Sequence, residues 1–164
     1  MSKKLAPNDK LIAAAKHGSA LALAAALIDG ADANARCAHG VPALNWLAGD
    51  AGRAAAVSWF IAQGANPRLA NPDGCTALMF AADGADPATL AALVEGGADL
   101  AARDNCGRSA LDYAVEAGLA KNAAVLRALG ERAEIEAVAT PDEPTAAGPL
   151  VAAASAAPRA ALRL

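Results

Sequence analysis

The chain has 164 residues, of which 55 % are hydrophobic but only 3 % aromatic, and a formal net charge of −3. That length suits one domain with its own core, and an apolar content made mostly of Ala, with Leu and Val, suits small helices that pack closely and repeat often. No basic stripe exists to neutralise a run of phosphates, which argues against nucleic acid as a partner, and no apolar run nears the roughly eighteen residues of a membrane span.

At the N-terminus, Lys3, Lys4, Lys10 and Lys16 stand against Asp9 alone. The opening Met1-Ser-Lys-Lys resembles the basic end of a secretion signal, but Asn8, Asp9, Lys10, Lys16 and His17 break up any apolar stretch behind it. The mature protein is therefore expected to begin at Met1 and to reside in the cytoplasm. From residue 29 to 116 the balance turns acidic, with eleven carboxylates against five arginines. Landmarks recur through this stretch. Gly30-Ala31-Asp32 returns as Gly64-Ala65-Asn66 and Gly97-Ala98-Asp99, Gly40 as Gly74 and Gly107, and Leu44 as Leu78 and Leu111, each at steps of 34 and then 33 residues. One period shared by separate landmarks marks stacked repeats.

Two short helices are expected per unit: one at Leu78-Met-Phe-Ala-Ala and one at Leu90-Ala-Ala-Leu-Val, then Leu111-Asp-Tyr-Ala-Val and Ala123-Ala-Val-Leu in the next unit. Thr76 and Ser109 stand where a hydroxyl can cap the first helix, and Pro42 takes that place in the second unit with a φ suited to a first turn. Gly30, Gly64 and Gly97 follow the second helices, where a left-handed residue is wanted. An extra residue near Gly49-Asp-Ala-Gly52 predicts a one-residue bulge between helices, because Leu44 to Gly64 is a step of 20 where Leu78 to Gly97 is 19. Helix is expected to persist through Glu131 to Val138 and to stop before Pro141. The remainder, with Pro144, Pro149 and Pro158, is expected to be a flexible tail. Its segment Pro158-Arg-Ala-Ala-Leu-Arg-Leu164 has the pattern of a short amphipathic peptide for a partner or for the protein's own groove.

The segments Asn71-Pro-Asp-Gly-Cys-Thr-Ala-Leu78 and Asp104-Asn-Cys-Gly-Arg-Ser-Ala-Leu111, each paired with Gly-Ala-Asp or Gly-Ala-Asn, resemble ankyrin repeats over roughly residues 7 to 130. The resemblance implies an all-α solenoid of stacked helix-turn-helix units joined by β-turn hairpin loops. Units near 8–36, 37–69, 70–102 and 103–130 would make a domain over 1–130, with the end units as caps, followed by an Ala/Pro-rich tail over 131–164. The family's usual Thr-Pro-Leu-His is replaced by Pro42-Ala-Leu-Asn45, Thr76-Ala-Leu-Met79 and Ser109-Ala-Leu-Asp112. Asn45 and Asp112 keep a polar group for a neighbouring turn, whereas Met79 does not.

Catalytic chemistry finds little support. Only His17 and His39 exist as imidazole bases, in different units and without a Cys or Ser at recognisable spacing. Cys37, Cys75 and Cys106 lack CxxC spacing and fall on successive repeats, beyond the roughly 7 Å reach of a disulfide, so they read as small buried or half-buried residues. A non-enzyme without metal or cofactor is expected. Trp46, Phe80 and Tyr113 share one register, two residues after the repeating leucines, and read as framework between first helices rather than as contact anchors.

The resemblance implies a protein-binding module, an adaptor or inhibitor whose partner docks on the turn tips and on the exposed surface of the first helices. By position the tips are Ala38, His39 and Val41; Pro72, Asp73 and Cys75; and Asn105, Cys106 and Arg108. The first-helix ends add Lys16, His17, Asp50, Asp83, Asp86 and Glu116. This surface is acidic in its middle, so the expected partner is a protein with basic or polar groups, with no nucleic acid or membrane involved. The alternative reading is a regulatory or secreted host-directed factor whose repeats target an activity carried on another chain.

Overall fold

The computed structural model describes residues 5–139. Its helices are α1 (Pro7–His17), α2 (Ala20–Ile28), α3 (Ala43–Ala48), α4 (Ala54–Ala62), α5 (Ala77–Gly84), α6 (Pro87–Glu95), α7 (Ala110–Glu116) and α8 (Ala120–Ala139). They form two layers, with α1, α3, α5 and α7 stacked side by side in one and α4, α6 and α8 in the other. Most are shorter than the dozen or so residues a helix needs to stand alone, so tertiary packing holds them.

The core runs between the layers. Leu11, Leu23, Leu47, Val57, Phe60, Leu78, Leu90 and Leu93 are wholly buried, and Ala43, Ala48, Ala77, Ala81, Ala82 and Ala114 fill the gaps. Alanine at these contacts lets neighbouring helices approach closely. α2 packs on α1 with at most slight contact to α4, carries no charge, and leaves Leu21 and Ile28 more than four-fifths exposed. An end repeat ordinarily turns a polar face outward; the outward face of α2 is apolar instead.

Local chemistry sets the helix ends. Ser109 and Asp112 form a reciprocal capping box at α7, with Ser109 Oγ accepting from the Asp112 amide and the Asp112 carboxylate accepting from the Ser109 amide. Thr76, expected to cap α5 in the same way, does not: its hydroxyl oxygen is buried without a partner. The third helical residue there is Met79, which has no group to return the bond. Gly30, Gly64 and Gly97 end the second helices with φ of 91, 99 and 94°. The extra residue of unit two is taken up by ending α3 early and running 49–53 as a connector, where the next unit needs only 85–86. Arg53 closes that connector by donating to the carbonyls of Ala15 and Lys16 at the end of α1.

Units two, three and four each begin with a tight hairpin tip, whereas the first unit opens directly on α1. Cys37 N donates to Val41 O, Asn71 N to Cys75 O and Asp104 N to Arg108 O, all within 2.9 to 3.0 Å, with a glycine at each turn. Side-chain amides lock neighbouring units together. Asn45 Nδ2 donates to the Cys75 carbonyl at 3.0 Å, the bond to a neighbouring turn expected of it, and buried Asn122 donates to the Ala85 carbonyl at 2.9 Å. Asp112 serves its own capping box instead. Helix continues across residue 130 through Glu131 to Val138, as expected, and α8 is the longest of the eight described helices. The tail readings for 140–164, including the amphipathic segment 158–164, lie outside the described residues.

Candidate partner-binding face

The tips and the inner layer, formed by α1, α3, α5 and α7, bring most of the expected contact residues to one side. His39, Asp73 and Asn105 are exposed at successive tips, and Asp50, Asp83 and Glu116 are exposed at the ends of α3, α5 and α7. Lys16, exposed at the end of α1, adds positive charge beside them, and His17 is exposed next to it. Asn105 also ties two tips together, its amide donating to the Asp73 carbonyl at 2.9 Å and its Nδ2 to the Pro72 carbonyl at 3.0 Å.

Val41 and Asp86, two further expected contact residues, are less exposed than these and have structural roles. Val41 is only 9 % exposed, just ahead of α3. Asp86 is half-buried and caps α6, accepting from Thr89 N and Thr89 Oγ1, and from Gly52 N in the connector of the preceding unit. The Thr89 hydroxyl chiefly, with the Thr89 and Gly52 amides, outweighs burial and holds its carboxyl below the ordinary range. Cys75 is half-buried, while Cys106, expected to be at least partly buried, is exposed. All three cysteines are unpaired.

The tip residue three before each turn glycine organises the loop with its side chain. Asn71 Oδ1 accepts from the amides of Asp73 and Cys75, and Asp104 Oδ1 from those of Cys106 and Arg108. Cys37 occupies the same place in unit two. Burial raises its thiol pKa, but hydrogen bonds from the His39 and Val41 backbone, with Trp46 and Lys16 adding to them, carry it below the ordinary thiol value.

Asp104 is the residue that reading the sequence for function passed over. It is 7 % exposed, and its second oxygen accepts from Tyr113 OH at 2.8 Å and Arg108 Nε at 3.0 Å. Arg108 also donates to the Tyr113 hydroxyl at 2.7 Å and to Glu116 at 3.3 Å, while Cys75 Sγ lies 3.3 Å from that hydroxyl. Burial and the bonds to Cys75 and Asp104 push the Tyr113 hydroxyl up, so it stays a phenol. Burial would also raise Asp104, but the amides of Arg108 and Cys106, the phenol and the guanidinium overcome it and hold the carboxyl at about 2. A folded pKa below the unfolded value of roughly 4 means the stability contribution is fully present above about pH 4 and lost as pH falls through about 2. The gap in thermal midpoint between the parent and Asp104→Asn is therefore expected to hold from neutral pH to about pH 5 and to narrow below about pH 4. A gap that stays constant to about pH 2 contradicts this account of Asp104.

Trp46, Phe80 and Tyr113 are half-buried rather than core residues. Trp46 and Phe80 meet edge to face, with centroids 6.3 Å apart. They open onto two clefts. One of about 410 Å³ lies between α3 and α5, with Trp46, Asp50, Phe80 and Asp83 on its walls; one of about 250 Å³ lies between α5 and α7, with Asp73, Phe80, Asp83 and Tyr113. Trp46 and Tyr113 thus pack against the core while lining the clefts, and Phe80 lines both clefts. His39 is exposed on a tip and His17 at the end of α1, so neither sits in an enclosed pocket. Among the described residues no group of three or more His, Cys, Asp or Glu side chains could hold a metal ion, and no helix is long and apolar enough to cross a membrane.

The repeating helix pair, the hairpin tip and the inter-unit amide bonds agree with comparison to known families. A sequence model described as ankyrin repeats in three copies matches residues 44–139, more than half of the chain. Repeats of this kind generally serve as protein–protein interaction modules and are not catalysts. No curated protein matches the chain. On the family match and the architecture together, the chain belongs to the ankyrin-repeat family.

Proposed function

We propose that this chain is a non-catalytic adaptor or inhibitor that binds another protein, one presenting basic groups, across the inner face of units two to four. The observation that carries the reading is the row of exposed carboxylates Asp50, Asp83 and Glu116 at the ends of successive inner helices, beside clefts lined by half-buried aromatic rings. Carboxylates in such a row speed encounter with a basic partner and reject acidic ones, while the rings supply the apolar area that holds it. The tips at His39, Asp73, Cys75, Asn105 and Arg108 form the rim of this surface. Three unpaired thiols suit a reducing compartment, which favours the cytoplasm as the place of action.

Capture of partners from the source cell with the full chain, compared with an Asp50→Lys, Asp83→Lys, Glu116→Lys variant, tests the reading. The triple variant is expected to bind the captured protein at least about tenfold more weakly, as two or more lost charge contacts imply. Glu95→Lys at the exposed end of α6, in the other helix layer, is expected to bind like the parent. Equal loss in both variants, or in neither, places the docking surface elsewhere.

A further inference from the structure

Three rings stand at one register of the inner layer, and two of them hold a cation of this chain. Lys16 Nζ lies 4.6 Å from the Trp46 ring centroid and Arg108 Cζ 4.5 Å from that of Tyr113. Phe80, between them, has an edge contact with Trp46 and no cation of the described residues over its ring. Beside it Asp83 is exposed and makes no ion pair among the described residues, whereas Asp50 is paired with Arg53 and Glu116 with Arg108. Phe80 and Asp83 line both clefts, so the one ring without a cation and an unpaired carboxylate share a wall at the centre of the face.

We propose that the cleft at Phe80 and Asp83 is an anchoring site for an arginine side chain of the partner protein. This rests on the reading of the inner face as the docking surface and names the chemistry of its centre. A ring face attracts a cation, more strongly as water is excluded. A guanidinium stacks flat on a ring while its paired N–H groups donate to both oxygens of a carboxylate, which an ammonium cannot do at once. Asp73 and the Tyr113 ring close the α5–α7 side of the cleft, and Lys16, held on Trp46, bars a second cation from the far end.

Isothermal titration of the full chain with an acetylated hexa-arginine peptide at low salt, and with hexa-lysine for comparison, tests the assignment. Hexa-arginine is expected to bind the more tightly, and Phe80→Leu and Asp83→Asn are each expected to weaken it by about three- to twentyfold. Asp83→Asn changes an exposed side chain, so its result stands even if Phe80→Leu unfolds the protein. Hexa-lysine binding as tightly as hexa-arginine, or binding indifferent to Asp83→Asn, overturns the assignment. In that second case a loss with Asp50→Lys and Glu116→Lys leaves the docking face intact, and no loss removes that reading too. Binding that appears only once Arg159→Ala and Arg163→Ala are introduced puts the chain's own tail in the cleft and overturns the assignment to a partner.

Discussion

Phe60→Ala is expected to destabilise the protein by about 3 to 5 kcal/mol, the range for deleting a fully buried aromatic side chain. Phe60 is 0 % exposed and is the one aromatic ring wholly inside the core among the described residues. Much of that core is alanine, which has no flexible side chain to swing into the vacated space, so the cavity stays largely open and the cost falls toward the upper end. The consequence spreads along the stack. Each unit is held by its neighbours alone, so weakening unit two uncouples unit one from units three and four. Urea unfolding followed by helical circular dichroism is expected to show a lower midpoint and a broader transition. Trp59→Ala, one residue earlier and only half-buried, is expected to cost markedly less. Equal losses in the two variants contradict the placement of Phe60.

The second large effect separates two glycines that look identical in sequence. Gly74 and Gly107 each sit within a hairpin tip at the same register, with φ of 84 and 81°. A Cβ at Gly107 meets nothing within 4 Å, whereas at Gly74 it stands 2.9 Å from the Asn105 backbone nitrogen and 3.0 Å from Asp104 Cα. Gly107→Ala thus incurs only the strain of a left-handed residue with a side chain, about 1 to 2 kcal/mol. Gly74→Ala adds overpacking against backbone, for a total of about 2 to 5 kcal/mol. The shifted backbone also carries the bond from Asn105 N to the Asp73 carbonyl, so faster amide exchange is expected at Asn105 in the Gly74 variant alone. The same loss in both variants means that the tips do not pack on each other in this way.

The period in the sequence placed the units, because a glycine that must be left-handed and a leucine that must be buried return with every turn of the stack. It could not separate Thr76 from Ser109. Both are hydroxyls before a helix, and only the third helical residue, Met79 in one case and Asp112 in the other, decides whether a capping box closes. Asp-Pro before a helix is itself a capping signal, so the cap of Asp86 on α6 is legible in sequence, while its second role, holding the Gly52 amide, needs the preceding unit in place. Position in the tip points Val41 outward, but the tip's own fold buries it. Asp104 had a signal that went unused: it aligns with Asn71, and a carboxylate there collects the tip amides whatever else it does. The register of Trp46, Phe80 and Tyr113 was legible, but not their cations. Lys16 comes from the unit before and Arg108 from a tip folded back over its own helix, so only the tertiary approach reveals which ring lacks one.

Hydrogen–deuterium exchange on the full chain, alone and saturated with its captured partner, tests the central claim most directly. The account predicts added protection at the tips 37–41, 71–75 and 104–108 and along α3, α5 and α7, greatest around Phe80 and Asp83. Protection confined to α4 and α6, with the inner layer unchanged, would contradict it.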